Sequence, residues 1–308
     1  MALIETNNGL WFQEVLYADI ACGFKVSAVL HRERSAFQDI LILDTPVLGK
    51  VLVLDGIVQC AQKDEAIYHE MLAHSGVLLR QTVAPNEGGL DVLVVGGGDG
   101  GIARECLKHG GVDRVTVVDI DPRVRETVLA HFPELPAGAY ADARLTVVDA
   151  DAAEFVRQHR DHFDLIVADT PDPVGAATPL FGRDFVEDCH AALKDGGVFV
   201  RHGGSLLLQT DGFVRARGDV AAVFGAESSR AGLLATCTYL GGWFTWISAV
   251  KNAPYPEGDA VLRTMRALFE RAALDVRWYS PEMQAASQVL PARLAETEPN
   301  ISRRDDIS

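Results

Sequence analysis

From residue 91 onward, valine-rich apolar runs alternate with helical patterns, and this alternation limits the possible folds more than any other feature. "DVLVVGGG" reads as a strand, "GGIARECLKHG" as a helix closed by glycine, "RVTVVDID" as a strand and "PRVRETVLAHF" as a helix opened by Pro122. "RLTVVDAD", "AAEFVRQHR", "FDLIVAD", "GRDFVEDCHAALKDGG" and "VFVRHGG" continue the series as strand, helix, strand, helix and strand. Strands separated by helices of this length predict parallel βαβ units and an α/β fold. Ligands of such folds lie outside the carboxyl ends of the strands. Farther on, "YLGGWFTWISAVK" and "DVRWYSP" read as an antiparallel pair around the helix "DAVLRTMRALFERAAL".

The chain before this series has a different character. "KVSAVLHRE", "QDILILD" and "GKVLVLDGIVQ" read as strands between glycine marks, and "DEAIYHEMLAHSGVLLRQ" as a helix with Asp64 as its N-cap. The expected organisation is a small β-domain over residues 1–62 and a larger α/β domain over 63–296. A polar tail over 297–308 is expected to fray. At 308 residues and 48 % hydrophobic content, the chain can bury one large core and a satellite.

The net charge of −15 argues against nucleic acid as a partner and suits a cationic small molecule. No apolar run reaches the roughly 18 residues of a membrane helix, and the start "MALIETNNGLWFQEV" lacks a basic-then-apolar leader pattern, so no membrane partner is expected. The five cysteines are scattered and form no CxxC, so neither a disulfide framework nor a zinc site is expected, and a cytoplasmic location fits. His69 and His74 are five apart, not the four that place two imidazoles on one helix face, which also argues against a metal.

Acids follow four consecutive strands. Asp99 lies in the glycine loop "GGGDGG", Asp119 ends the second strand, Asp149 and Asp151 follow the third, and Asp169 and Asp172 follow the fourth in "DLIVADTPDPVGAATPLF". Each alone suits a helix cap or an Asx-turn. Together they belong on one rim of the sheet. Gly96, Gly98 and Gly101 match GxGxxG, a pattern shared by nicotinamide and adenosylmethionine enzymes. Asp99 inside the loop opposes a pyrophosphate or a carboxylate and favours a ligand ending in an ammonium. Asp119 suits ribose hydroxyls, and Asp151 with the following alanines suits an adenine amino group.

"GKVLVLDGIVQ", "DEAIYHEMLAH", "VLVVGGGDGGIARECLKH", "VVDID" and "DTPDPVGAATPLF" together closely resemble the spermidine synthases, the polyamine aminopropyltransferases, from about Trp11 to Leu290. The resemblance implies a small N-terminal β-domain on a Rossmann-like, class I methyltransferase-type doubly wound sheet. It also implies decarboxylated S-adenosylmethionine as donor, a polyamine acceptor (putrescine by default), release of 5′-methylthioadenosine, and a homodimer or homotetramer. On the donor side it implies contacts from Gln38, His69, Gly96, Gly98, Gly100, Asp151 and Ala152, with Asp99 on the aminopropyl ammonium and Asp119 on the ribose. Asp169 matches the residue that takes the attacking amine's proton, with Tyr68 beside it. Asp172 matches the acid gripping the acceptor's distal amine, with Tyr239 lining that pocket.

The acceptor side departs from the family pattern. Pro171 stands for a Ser or Thr, His202 for a Gln, "GAA" at 175–177 for "GPA" in an expected lid, and Leu240 follows Tyr239. His202 is thus a candidate acceptor contact, a titrating group or an ordinary strand-end residue. Cadaverine, agmatine and spermidine therefore stay open beside putrescine. Rival readings are a methyltransferase using the intact donor, a non-catalytic polyamine binder and a nicotinamide dehydrogenase. The first usually carries an acid where this chain has Val94 and a small neutral residue at Asp99; the last is opposed by Asp99.

Ordinary readings exist for single residues too. A core-packed Tyr68, a surface His69 and a solvated Gln38 are what a helix or a strand start usually carries. Trp11, Trp243 and Trp246 suit a core or an interface better than a ligand cage.

Overall fold

A computed structural model describes residues 3–85, 88–171 and 175–295. The expected tail at 297–308 and Asp172 lie outside the described residues, as do the side chains at 175–177.

The first fifth of the chain is β. Strands β1 (Leu3–Thr6), β2 (Gly9–Gln13) and β3 (Gly23–Lys25) form one antiparallel sheet. Strands β4 (Ala28–Arg34), β5 (Asp39–Thr45), β6 (Gly49–Leu54) and β7 (Ile57–Ala61) form a second. Phe12, Val26, Leu43, Val51 and Val53 pack together as their shared core. The opposite face of the four-stranded sheet carries Ile40, Ile42, Leu52 and Cys60. Alternation with period two lets one sheet bury both faces in this way.

Helix α1 (Glu65–Val83) then leads into the large unit: β8 (Leu90–Gly96), α2 (Gly101–Leu107), β9 (Val112–Asp119), α3 (Pro122–His131), β10 (Leu145–Asp149), α4 (Ala152–Arg157), β11 (Phe163–Asp169), α5 (Arg183–Ala192) and β12 (Leu193–Ser205). The rest is α6 (Thr210–Phe224), β13 (Ser229–Leu234), β14 (Phe244–Val250), α7 (Asp259–Ala272), α8 (Pro281–Ser287) and the short α9 (Ala292–Ala295). A seven-stranded sheet runs β10-β9-β8-β11-β12-β14-β13. The first five strands are parallel, and β14 is antiparallel to both neighbours. Helices cover both faces. Met71, Leu72 and Val77 of α1 pack on one face, Phe185 of α5 and Phe213 of α6 on the other. The α/β fold is the one expected from the strand–helix series, and the sheet is the Rossmann-like, methyltransferase-type one that the resemblance implies.

Strand order reverses between β8 and β11, which are direct neighbours, with Asp169 opposite Gly96 in register. A crevice opens at such a switch point because the two connections leave in opposite directions. Helix α3 and the turn after it carry Val124, Val128, Phe132 and Leu135 onto the four-stranded sheet. The small unit is thereby seated over the carboxyl ends of the large sheet.

Three local expectations need correction. "DVRWYSP" is not a strand; the partner of β14 is β13, which precedes it. The backbone N–H groups of Arg277, Trp278 and Tyr279 donate instead to the Glu70 carboxylate at 2.7–2.8 Å, so a side chain of α1 satisfies what a ladder would have satisfied. Asp64 stands at the N-cap position but makes no side-chain cap bond to α1. Its carboxylate accepts from the backbone N–H groups of Cys237 and Thr238, each at 2.9 Å, and from the Thr238 hydroxyl. Finally, the helix read through "KDGG" ends at Ala192, and those residues begin β12.

Candidate active site

A cavity of about 260 Å³ lies at the switch point. Its floor is the end of the large sheet, with Gly96–Asp99, Asp119, Asp151, Ala152, Asp169, Thr170 and Pro171. Its roof comes from the small unit, with Phe37, Gln38, Leu52, Leu54, Val58 and Gln59. Tyr68 and His69 enter from α1, and His202, Tyr239, Leu240 and Phe244 close the far side.

The glycine loop brings the acids together. Gly96 has φ +75°, and a Cβ there would meet the Asp169 carbonyl at 2.2 Å, so β8 can turn against β11 only with glycine. At Gly101 a Cβ would meet the His69 ring at 2.3 Å, so the start of α2 can approach α1 only there. Asp99 Oδ1 accepts from the Gly101 N–H at 2.8 Å, and its Oδ2 lies 3.6 Å from His69 Nε2. Tyr140 donates to the Gly98 carbonyl at 2.7 Å and braces the loop from outside.

Asp119 accepts from the Gly98 N–H at 3.0 Å and the Asp121 N–H at 2.9 Å. Burial nevertheless pushes its carboxyl above the ordinary range, against those two bonds. Asp121 in turn accepts from Ser35 Oγ at 2.7 Å and Gln38 Nε2 at 2.9 Å, so Gln38 is anchored rather than merely solvated. Asp151 Oδ1 caps α4 by accepting from Ala153 and Glu154 N–H at 2.8 and 3.1 Å. The cap reading holds for this carboxylate, and the same residue also lines the cavity. Asp149 does not join the site; Arg125 holds it in an ion pair at 2.6 Å.

Asp169 is the most perturbed of the group. Removal from water, then the nearby Asp99 charge, lifts its carboxyl to about 7, although His69 and a hydrogen bond from Tyr68 pull the other way. Burial also works against Asp99, but His69 and the Gly101 N–H outweigh it and hold Asp99 below the usual carboxylate range. The two acids therefore part in opposite directions, Asp99 toward the anion and Asp169 toward the protonated form. One atom each of His69, Asp99 and Asp169 lies within 4.8 Å of the others. That spacing would admit a cation of either kind, metal or ammonium. Both nitrogens of His69 already face carboxylates, Glu65 at 2.7 Å and Asp99 at 3.6 Å, which leaves no lone pair turned to the cavity. Among the described residues, no lysine or arginine forms an ion pair with Asp99, Asp119, Asp151 or Asp169.

The far side is aromatic. Tyr239 donates to the Gln59 carbonyl at 2.5 Å and stands edge-on to Tyr68 with ring centroids 5.9 Å apart. His202 stacks on Phe244 at 5.5 Å and lies edge-to-face with Phe181. Its Nε2 contacts the Thr170 carbonyl at 2.9 Å; a carbonyl can only accept, so Nε2 carries the proton. Nδ1 is then a bare acceptor, without a partner among the described residues. Burial lowers the His202 value to about 3, so it is a neutral ring and not a switch near neutrality. His69 is fully enclosed, not a surface residue. Of the tryptophans, Trp246 is core, whereas Trp11 and Trp243 are exposed.

Residues that sequence reasoning did not single out include Tyr140, Phe244, Ser35 and Glu65. Tyr140 comes from a turn between α3 and β10 with no motif of its own. Asp121 stands two residues after Asp119 in "VVDID", and that second acid is the one signal that could have pointed to Gln38's partner.

Comparison with known proteins agrees along almost the whole chain. Residues 65–257 match the spermine/spermidine synthase domain, and residues 10–62 match the spermidine synthase tetramerisation domain. The chain is 37 % identical over 298 residues to the polyamine aminopropyltransferase of Serratia proteamaculans (strain 568), covering 97 % of this chain and 100 % of that one. It is 37 % identical over 285 residues to the enzyme of the same name from Pectobacterium carotovorum subsp. carotovorum (strain PC1), covering 92 % and 96 %. A spermidine synthase solved in complex with the transition-state analogue AdoDATO superposes with a TM-score of 0.83 at 31 % identity, covering 93 % and 94 %. The spermidine synthase of Thermotoga maritima gives 0.82 at 30 %, covering 94 % of each chain. With a Rossmann-like sheet, an acid-lined cavity at its switch point and matches of this extent, the chain belongs to the spermine/spermidine synthase family and is an enzyme of the polyamine aminopropyltransferase type.

Proposed function

We propose that this enzyme moves the 3-aminopropyl group of decarboxylated S-adenosylmethionine to a polyamine, with putrescine as the default acceptor and spermidine as product. The single observation that carries this reading is a cavity lined by four carboxylates that no lysine or arginine neutralises among the described residues. Such a site is short of positive charge, and the reactants supply it: a sulfonium, an ammonium on the donor, and an ammonium at the far end of the acceptor.

In the reaction, the acceptor's amine nitrogen attacks the methylene next to the sulfonium. The new N–C bond forms as the C–S bond breaks, and neutral 5′-methylthioadenosine leaves. Holding both reactants in line supplies most of the rate. Asp99 takes the donor's ammonium, Asp119 the ribose, and Asp151 with Ala152 the adenine. Gln38, Gly96, Gly98 and Gly100 shape the pocket, and His69 backs Asp99. Asp169, beside Tyr68, accepts the proton of the attacking amine. A carboxyl near 7 is far better matched to that task than one at its ordinary value of about 3.9. Asp172, Tyr239 and His202 are assigned to the acceptor, where the neutral Nδ1 of His202 can receive an N–H from a bound amine.

The match of residues 10–62 to a tetramerisation domain supports a homo-oligomer, dimer or tetramer. No described helix is long and apolar enough to cross a membrane; we assign the enzyme to the cytoplasm. The domain division at 62/63 is retained as part of this proposal. The test is incubation with the decarboxylated donor and separate amines, read by mass spectrometry. Methylthioadenosine with an aminopropylated amine supports the reading. Adenosylhomocysteine formed from the intact donor, or amine binding without turnover, overturns it.

A further inference from the structure

We infer that Glu65 is a positioning residue for the transfer. Seated behind His69, it holds the imidazole as a double donor, with Nδ1–H on Glu65 and Nε2–H toward Asp99. The inference rests on the functional reading above and deepens it at one residue.

Glu65 opens α1, one turn before His69, and is almost fully buried. Its Oε2 lies 2.7 Å from His69 Nδ1 and 2.7 Å from an Arg104 guanidinium nitrogen, and its Oε1 is held by Arg277. Arg104 arrives from α2 and Arg277 from the connection between α7 and α8, so three elements lock one carboxylate. A buried carboxylate so tightly held is not needed to start a helix, since an exposed acid would suffice there.

Its effect follows from hydrogen-bond geometry. The charged groups facing His69 are Glu65 on its own helix, Asp99 from the glycine loop and Asp169 from the end of β11. A ring with a carboxylate on each side satisfies both only by donating from both nitrogens. Without the Glu65 charge the ring is neutral and keeps one proton; a glutamine there can donate its amide N–H to Nδ1 and leave that proton on Nε2, facing Asp99. Asp99 then keeps an N–H but loses the positive charge beside it that helps to hold it ionised and in place for an ammonium.

The experiment is nitrogen NMR of ¹⁵N-histidine-labelled enzyme at neutral pH, with the His69 signals assigned by His69→Gln. In the wild type, both ring nitrogens of His69 are expected to be protonated. Glu65→Gln is expected to leave one of them bare and to lower kcat/KM for the decarboxylated donor at least tenfold. A wild-type His69 with an unprotonated Nδ1 overturns the inference even if Glu65→Gln fails to fold. Identical His69 signals in both proteins overturn it as well. These spectra do not depend on turnover, whereas absence of methylthioadenosine from the wild type would sink the functional reading instead.

Discussion

At the scale of single residues, the central contrast is between Asp99 and Asp169. They share one cavity but part in opposite directions because His69 and a backbone N–H favour one anion while burial and the first anion disfavour the other. Asp169→Asn should abolish transfer, by roughly 10²–10⁴-fold in kcat, the usual range for a lost general base. Donor affinity, measured by calorimetry, should stay nearly intact. In the wild type, kcat/KM should fall as pH drops through about 7, because a protonated Asp169 cannot accept the amine's proton. Asp99→Ala removes the charge that lifts Asp169, so that acid limb should move to lower pH. The same variant should lose its preference for the decarboxylated donor over the carboxylated one. The acids were legible from sequence because each follows a strand. What sequence could not give is which acid is already committed: Asp149 and Asp169 occupy equivalent positions, yet Arg125 takes the first and leaves the second free of such a pairing.

At the scale of elements, strands β8 to β12 and their helices could be read almost directly, since period and length agree along that stretch. The tail of the fold could not. Val276 and Trp278 alternate with polar residues in a way that imitates a strand, but the bonding partner of that segment is Glu70, some two hundred positions away. Helix α6 was not apparent from sequence because Gly212, Gly218 and several charges dilute its apolar period. Asp64 misleads for a related reason: the position is a cap, and the side chain serves a distant loop. That loop carries Tyr239 into the cavity. Asp64→Ala should remove the acceptor of the partly exposed donors at Cys237 and Thr238 and cost roughly 0.5–1.5 kcal/mol, read by denaturant unfolding. It should also raise KM for the acceptor more than for the donor, because only the acceptor side loses its wall.

For the whole molecule, an anionic cavity has a thermodynamic signature. Asp169 has its folded-state value raised, so its contribution to stability is present below its unfolded value of about 3.9 and is lost as pH rises through about 7. The free enzyme should therefore lose this contribution between those limits, and a polyamine cation should restore it. The rise in Tm on adding spermidine should be larger at pH 8 than at pH 5, by differential scanning fluorimetry at fixed ionic strength. A rise independent of pH would place the amine away from Asp169. The overall placement of the small sheet over the large one is set by Phe132 and its neighbours, and Phe132→Ala should cost roughly 3–5 kcal/mol.

The roof supplied by Gln38, Leu52, Leu54 and Val58 means that no self-sufficient catalytic half exists to be cut free. A chain begun at residue 63 would keep every acid of the floor, yet it would bare Val124, Val128, Phe132 and Leu135 to water and leave the cavity without a ceiling. Such a fragment would clump before it could turn over, and this enzyme's chemistry would be lost by removing residues that do none of it.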